Sequence, residues 1–226
     1  MPTLAVLPVK RFDSAKLRLE SLLAPGPRRA LAEAMLSDVL VALRRAESVD
    51  AVLVVTADPV AERIAASHDA DTLPDEREDG QSPAAEAGLA AAARGRADRA
   101  LLVPGDCPLL DPAELDSLLG RPRAAGAHAI IVPDRHGSGT NALLLEPPGS
   151  LAPAFGEDSL ARHLEGARAA GLAHEVAEVP SLALDVDTPD DLAALREALA
   201  GQRGGAANTR GMLVQFDRTT GAATAP

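Results

Sequence analysis

The sequence predicts an α/β fold in which helices cover both faces of a mostly parallel, mixed sheet. Two observations carry this prediction. Short apolar runs of strand length alternate along the chain with longer amphipathic segments of helix length. Several of the longer segments begin with Pro or an acidic residue, as helices often do. This alternation is typical of sheets whose parallel strands are joined by helical crossovers.

Six apolar runs are expected to form strands, at residues 4–9, 51–56, 100–106, 129–134, 142–146 and 182–187. The clearest helices are expected at residues 27–46, 83–94, 112–119, 158–170 and 189–200. We therefore expect a single domain over residues 1–200. Residues 201–226 are rich in Gly, Ala and Thr and lose both periodicities, which predicts a flexible C-terminal tail, with an edge strand at "MLVQF" as the alternative.

Bulk composition restricts the class of partner and the location. The net charge of the 226 residues is −11, so we do not expect the basic surface that nucleic acid requires. Apolar runs end well before the roughly 20 residues that a membrane span needs, so no membrane association is expected. Cys107 is the single cysteine, and the opening apolar run is too short for a secretory signal, which together predict a cytoplasmic protein.

Acidic residues stand where a buried strand should be apolar, in "LALDVDTPDD". A cap formed by Thr188 and Asp191 explains the start of the following helix but leaves Asp185 and Asp187 unexplained. Residues two apart on a strand point the same way, so these carboxylates repel unless a cation lies between them. Asp106 ends another strand and is equally well interpreted as a metal ligand or an ordinary turn aspartate. The sequence thus suggests a metal site.

A local concentration of cations follows the first strand, in "PVKRFDSAKLRL". Four basic residues lie there, namely Lys10, Arg11, Lys16 and Arg18. In so acidic a chain they suggest an anionic ligand such as a triphosphate, and a solvated basic face is the alternative. The sequence contains neither GxxxxGK[ST] nor GxGxxG, which excludes the two commonest phosphate loops.

Two further segments carry groups that suit an anion. "PDRHGSGTNALLLEP" combines glycines with hydroxyls and Arg135, although a hairpin turn would have a similar composition. "FGEDSLARHL" places Ser159 at a predicted helix start with Gly156 before it, which suits an anion but is also explained by helix capping. Because ligands bind beyond the carboxyl ends of strands in such sheets, we expect these segments to meet the aspartates at one edge.

The order of these motifs resembles the guanylyltransferases of deazaflavin coenzyme F-420 biosynthesis, called CofC in archaea and FbiD in actinobacteria. The matching pieces cover about residues 4 to 200 and are "PVK", "GDCPLL", "GTNAL", "F.E.S...H" and "LDVDTPDDL". The resemblance implies a Rossmann-like nucleotidyltransferase fold of the nucleotide-diphospho-sugar transferase type. It also implies transfer of GMP from GTP to phosphoenolpyruvate or 2-phospho-L-lactate, with release of pyrophosphate.

The resemblance also implies roles for individual residues. The metal ligands, for Mg²⁺, would be Asp106, Asp185 and Asp187, with Asp106 also counted as catalytic. The contacts to the phosphorylated three-carbon acid would be Thr140, Gly156 and Ser159.

The nucleotide side of the site is expected to use Lys10 and Lys16, which would neutralise the departing pyrophosphate and so act in catalysis as well as in binding. Gly80 and Ser82 are expected to contact the nucleotide. They lie in "GQSPAAEAGL", where the family usually has Gly-Leu-Asn, so the resemblance does not assign the residues that recognise guanine.

Three alternative functions remain at this point. One is another nucleotidyltransferase of the same fold, of the molybdenum-cofactor or sugar-phosphate type. A haloacid-dehalogenase-type phosphatase is suggested by "DVDT", since its motif is DxDx[TV], but the fifth position here is Pro189. In addition, only about 40 residues remain after Asp185, too few for a domain of that type. A non-catalytic nucleotide-binding module is the third, since fold alone does not imply activity. A homodimer and a hand-over of product to the next enzyme of the pathway are left open.

Overall fold

The computed structural model describes residues 1–121, 126–201 and 204–222, except for the side chains of residues 219–222. Its sheet contains seven strands in the order β3-β2-β1-β4-β6-β5-β7. The strands are β1 (Thr3–Val9), β2 (Ala51–Thr56), β3 (Asp71–Pro74), β4 (Arg99–Leu102), β5 (His128–Pro133), β6 (Thr140–Glu146) and β7 (Ala173–Val176). Strand β6 runs antiparallel to both of its neighbours, and the other adjacent pairs are parallel. The predicted mixed, mostly parallel sheet is therefore confirmed.

Helices cover both faces of this sheet, as predicted. The helices of the described residues are α1 (Pro25–Arg45), α2 (Pro59–Ser67), α3 (Gln81–Arg94), α4 (Pro112–Leu119), α5 (Ser159–Ala169), α6 (Pro189–Gly201) and α7 (Ala207–Ala222). One apolar core lies between the sheet and α1, α2 and α4, and a second lies between the opposite face and α3 and α5. Helices α6 and α7 pack with α1 in a third cluster.

The alternation of side chains along β1 explains how one strand serves two cores. Leu7 and Val9 belong to the first core, whereas Val6 belongs to the second, because successive side chains of a strand point to opposite faces. Helix α3 approaches β1 so closely that a Cβ at Gly88 would overlap the side chain of Val6. The glycine therefore sets the distance between helix and sheet.

The expected strand at residues 182–187 is wrong. Residues Pro180–Leu182 form a short 3-10 helix, and the chain then runs irregularly to α6. Its backbone is satisfied by loops rather than by a neighbouring strand: Arg135 N donates to Ala183 O at 2.7 Å, and Val186 N donates to Asp106 O at 3.2 Å. The apolar side chains Leu184 and Val186 are buried in the third cluster, which explains the strand-like pattern.

The expected flexible tail is corrected for residues 207–222, which form α7, and "MLVQF" lies in this helix rather than in an edge strand. Helix α7 packs against α1 and buries Leu213 and Phe216. The Asp38 carboxylate of α1 accepts hydrogen bonds from Asn208 N at 3.0 Å and Thr209 N at 2.8 Å, and so caps the helix. Residues 202–203 and 223–226 of the predicted tail lie outside the described residues.

Helix α2 and the edge strands β3 and β7 were also not predicted from the sequence. The strand β3 reads "DTLP" and β7 reads "AHEV", so neither shows the apolar alternation that predicts a strand. At a sheet edge, one ladder of hydrogen bonds is enough to hold such a segment.

Candidate active site

A cleft of about 930 Å³ lies at the edge where β1, β4 and β5 end and β6 begins. Its lining includes nine of the ten residues predicted for the site, namely Lys10, Lys16, Gly80, Asp106, Thr140, Gly156, Ser159, Asp185 and Asp187. Ser82 is not part of this lining. Its Oγ instead accepts a hydrogen bond from Phe155 N at 2.9 Å, so it supports the wall of the cleft.

Lys16 lies between two of the predicted metal ligands. Its ammonium forms a salt bridge with Asp106 and another with Asp187 Oδ1 at 2.8 Å, and only 6% of its side chain is exposed. Lys16 lies in the loop after β1 with a left-handed backbone, φ of 56°, and its side chain lines the cleft. Burial lowers the pKa of Lys16, but the two carboxylates outweigh burial and hold this pKa above its ordinary value. The lysine is therefore a permanent cation.

Asp185 makes different contacts from Asp187, although the sequence suggested that the two would share a cation. Asn141 Nδ2 donates to Asp185 Oδ1 at 3.1 Å and also to Leu182 O at 2.8 Å. Burial first, and the charge of Asp106 second, raise the pKa of Asp185 to about 6. For Asp187, burial acts in the same direction, but Lys16 outweighs it and lowers the pKa.

Whether these carboxylates suit Mg²⁺ can be tested on Asp106. Its Oδ1 atom is buried and has no hydrogen-bond partner among the described residues, although Oδ2 contacts Lys16. Among all the residues that the structure describes, no three His, Cys, Asp or Glu side chains converge closely enough to hold a metal by themselves. Mg²⁺ usually takes one or two carboxylates and fills its remaining positions with water and substrate phosphates. The Asp106 oxygen and the nearby Asp185 carboxylate fit that pattern.

The opposite wall of the cleft joins the start of β6 to the start of α5. Thr140 N donates to Ser159 Oγ at 2.8 Å, and Leu160 N donates to Ser138 O at 3.0 Å. Thr140 Oγ1 lies 2.9 Å from Nδ1 of His163, one turn further along α5. Two hydroxyl groups are thus held side by side at a helix N-terminus, a position that favours an anion.

Gly156 begins the turn that leads into α5. Its φ of 109° belongs to the region that side chains rarely adopt, and a Cβ there would lie 3.3 Å from Arg162 Nη2. The preceding residue, Phe155, is held through both its backbone N–H and its backbone C=O. Phe155 N donates to Ser82, and Phe155 O accepts from Arg162 Nη2 at 3.0 Å. The turn is therefore a built part of the cleft wall.

A third part of the cleft contains the basic loop after β1 and the start of α3. Lys10 is exposed there, and Arg11 Nη1 donates to Ala57 O at 3.2 Å. Gly80, with φ of 118°, precedes α3 and lines the cleft together with Gln81. Lys10 and Gly80, two of the predicted nucleotide contacts, therefore line the same cleft as the carboxylates.

Two residues that hold the site together were not predicted from the sequence. Asn141 was part of the quoted "GTNAL" motif, and His163 was the last residue of "F.E.S...H", yet neither received a role. The sequence did carry a signal for each: the polar Asn141 follows Thr140 in an otherwise apolar strand, and His163 lies on the buried face of α5. His163 is completely buried, and its partners come from separate segments, which no spacing rule predicts.

The fold and this cleft together define the class of protein. A solved structure from Desulfovibrio desulfuricans G20, described as that of a nucleotide-diphospho-sugar transferase, superposes with a TM-score of 0.75 over 96% of each chain, at 17% sequence identity. At this identity the likeness establishes the fold alone, which is that of nucleotidyltransferases of the nucleotide-diphospho-sugar transferase type, as the sequence predicted.

The family follows from closer matches. The model of the family "Guanylyl transferase CofC like" matches residues 3–213, so the chain belongs to this family of guanylyltransferases. A phosphoenolpyruvate guanylyltransferase from Conexibacter woesei is 61% identical over 97% of this chain and 98% of its own length. A 2-phospho-L-lactate guanylyltransferase from Methanothermobacter thermautotrophicus is 38% identical over 85% of this chain and 83% of its own. The expected guanylyltransferase is confirmed, in preference to the phosphatase and the binding module.

Proposed function

We propose that this protein transfers GMP from GTP to phosphoenolpyruvate, with release of pyrophosphate, as a step of coenzyme F-420 biosynthesis in the cytoplasm. The observation that carries the proposal is the arrangement of the cleft, in which the Lys16–Asp106–Asp187 cluster and the hydroxyls of Thr140 and Ser159 line the same space. With Mg²⁺ bound to its carboxylates and the exposed Lys10 nearby, the first set would suit the triphosphate of GTP, and the two hydroxyls suit an anionic acid. Between them there is room for the two substrates to meet.

The reaction requires only that two polyanions be held in line. A phosphate oxygen of the acid attacks the α-phosphorus of GTP, the new P–O bond forms, and the bond to the β-phosphate oxygen breaks. Pyrophosphate carries away the electron pair of that bond, and no covalent intermediate with the protein forms. The exposed Lys10 would neutralise the charge that develops on the leaving pyrophosphate, Lys16 would hold the Asp106 and Asp187 carboxylates in place, and Thr140, Gly156 and Ser159 would fix the acid.

Mg²⁺ is the cofactor that we propose; of the three predicted ligands, Asp106 and Asp185 would hold it, while Asp187 is paired with Lys16 beside them. The support comes from the unpartnered, buried Oδ1 of Asp106 and from an all-oxygen set of donors. When bound, Mg²⁺ would supply positive charge at the phosphates during transfer. The chain's own contribution is to keep these oxygens fixed, Asp185 by the amide of Asn141 and Asp106 by Lys16.

We propose phosphoenolpyruvate as the acid because the chain is 61% identical to a Conexibacter woesei protein named phosphoenolpyruvate guanylyltransferase. The Methanothermobacter thermautotrophicus protein, named for 2-phospho-L-lactate, is less similar at 38% identity. The two acids differ in a double bond and a hydroxyl, so a pocket lined by Thr140 and Ser159 must distinguish them by small differences in shape and hydrogen bonding.

No helix among residues 1–121, 126–201 and 204–222 is long and apolar enough to cross a membrane. The cytoplasmic location remains part of the proposal. A homodimer and a hand-over of product to the next enzyme of the pathway stay predictions.

A pyrophosphate-release assay tests the proposal. GTP or ATP is mixed with phosphoenolpyruvate, 2-phospho-L-lactate or 3-phosphoglycerate, with and without Mg²⁺, and both pyrophosphate and inorganic phosphate are measured. We expect pyrophosphate only with Mg²⁺, most rapidly with GTP and phosphoenolpyruvate. Equal turnover with ATP would contradict the guanylyl assignment, and inorganic phosphate without pyrophosphate would overturn nucleotidyl transfer altogether.

A further inference from the structure

His163 lies behind the wall of the cleft formed by Thr140 and Ser159, and both of its ring nitrogens make contacts. It is completely buried, and its two ring nitrogens face different partners. Nε2 accepts a hydrogen bond from Ala154 N at 2.8 Å, and Nδ1 lies 2.9 Å from Thr140 Oγ1. The ring also packs edge-on against Phe155, with centroids 5.2 Å apart. The side chain therefore connects α5, β6 and the turn before Gly156.

The contact with Ala154 determines which nitrogen of His163 carries the proton. A backbone N–H can only donate, so Nε2 must offer its lone pair. Burial first, and the charge of Arg162 second, lower the pKa of His163 to about 4, although a hydrogen bond with the Ser159 backbone acts to raise it. The ring is therefore neutral at pH 7. A neutral imidazole carries one proton, which must then be on Nδ1.

The position of this proton sets the polarity of the Thr140 hydroxyl. With Nδ1–H as the donor, Thr140 Oγ1 accepts from His163 and keeps its own O–H hydrogen for another partner. Ser159 Oγ is in the same state, because it accepts from Thr140 N at 2.8 Å. Both residues line the cleft, so the wall offers two O–H donors to an oxygen of a bound anion.

We propose that His163 is a positioning residue for the phosphorylated acid, which acts by donating from Nδ1 to Thr140 Oγ1 so that the Thr140 hydroxyl donates to the acid. This inference rests on the proposed function, because it assigns to the acid the anion that the two hydroxyls bind. His163 itself does not contact substrate. It fixes the direction of a hydrogen bond that Thr140 makes.

Two variants of His163 separate the hydrogen bond from simple packing. His163→Gln can place an amide oxygen near the former Nε2 and accept from Ala154 N, but it loses the Nδ1 donor. His163→Asn can place an amide nitrogen near the former Nδ1 and still donate to Thr140. Since hydrogen bonds to a charged group are the stronger ones, we expect His163→Gln to raise KM for the acid by about 10-fold or more. The kcat and the KM for GTP should change little, and His163→Asn should recover most of the loss.

A double-mutant cycle with Thr140→Val decides the mechanism. If His163 acts through the Thr140 hydroxyl, His163→Gln adds no further rise in acid KM once that hydroxyl is absent. Thr140→Ser is the matched control, because it keeps a hydroxyl at this position. A full, multiplicative effect of His163→Gln in the Thr140→Val background would overturn the proposal, and so would an unchanged acid KM in the single His163→Gln variant.

The tautomer of His163 can also be observed directly in the wild-type protein by NMR. In the ¹⁵N-histidine-labelled wild-type chain, NMR should show the His163 ring as neutral at pH 7 with its proton on Nδ1, assigned by the signal missing in His163→Asn. A proton on Nε2 would overturn the inference even if His163→Gln did not fold. Failure of the proposed function looks different, because the wild-type protein would then release no pyrophosphate with GTP and any of the three acids.

Discussion

The ammonium of Lys16 lies 2.8 Å from Asp187 Oδ1 and also contacts Asp106. In the structure, the cation between these two carboxylates is therefore a side chain of the protein itself. The sequence required a cation near Asp185 and Asp187 and suggested a metal ion. Lys16 satisfies Asp187, whereas Asp185 and the second oxygen of Asp106 remain available.

The salt bridge changes what is expected of Asp187→Asn. If only the carboxylates were present, removing one charge would relieve repulsion and stabilise the protein. Because Lys16 is buried and paired, we expect the substitution to lower the free energy of unfolding by about 1 kcal/mol, a small value since the Asp187 side chain is 47% exposed. Urea unfolding with EDTA present measures it.

A matched control for that experiment is Asp217→Asn, which breaks an exposed salt bridge to Arg196 in which the Asp217 side chain is 61% exposed. Its effect should stay within about 0.5 kcal/mol. An Asp187→Asn variant more stable than the wild type would show that repulsion among the carboxylates dominates over the salt bridge.

Asp185 should make stability depend on pH. Burial and the charge of Asp106 raise its pKa to about 6, above the ordinary value of 3.8. The folded state then binds more protons than the unfolded state between these values, so this group's contribution to stability falls as pH rises from about 4 to about 6. Asp185→Asn removes that loss. In EDTA, the unfolding free energy of the variant minus that of the wild type should increase over this interval and become constant above about pH 7.

Urea unfolding at several pH values between about 4.5 and 7.5 checks this expectation for Asp185. A difference that is the same at every pH would contradict the raised pKa. With excess Mg²⁺ the dependence should weaken, because a bound cation favours the ionised carboxylate.

Removal of the metal should stop transfer, and loss of the Asp106 charge should slow it strongly. We expect Asp106→Asn to reduce pyrophosphate release by about 10²-fold or more, the scale found when a fixed electrostatic contact to the transition state is lost. EDTA should stop the wild-type reaction, and added Mg²⁺ should restore it. Full activity of Asp106→Asn at saturating Mg²⁺ would contradict the role of Asp106 as a metal ligand.

Helix α7 should contribute to stability, contrary to the expectation of a flexible tail. Asp38→Ala removes the acceptor for Asn208 N and Thr209 N, so we expect a loss of about 1–2 kcal/mol. For a chain of this size that corresponds to a fall in Tm of about 2–4 °C per kcal/mol. Truncation after Gly201 should cost more, because Leu213 and Phe216 are also lost. An unchanged Tm in both variants would show that α7 does not dock.

Gly156→Ala should weaken binding of the acid. The φ of 109° is strained for alanine, and the new Cβ would lie 3.3 Å from Arg162 Nη2, so the turn must shift. We expect a higher KM for the acid with the KM for GTP nearly unchanged, measured by pyrophosphate release. Gly26→Ala is the control, since a Cβ there meets nothing within 4 Å. Equal effects of the two substitutions would contradict a specific role of the Gly156 turn.

The sequence by itself determined the α/β fold, the family and the edge of the sheet where the site lies. These follow from local signals. Strand-length apolar runs place the strands, and polar residues such as Asp106 follow them at their carboxyl ends, which must meet at one edge in a mostly parallel sheet. The motifs around Thr140 and Ser159 kept their order along the chain and could be recognised without any coordinates.

Only the tertiary structure decided how those residues are paired. Lys16 and Asp187 are 171 residues apart, and Asp38 and Thr209 are also 171 apart, so no local periodicity connects them. The backbone of residues 182–187 has a strand-like apolar pattern, yet it is held by loop contacts, because Leu184 and Val186 find their burial against helices instead of in a sheet. Local sequence sets which side chains must be buried or paired, but the partners are chosen by packing, which brings distant segments together.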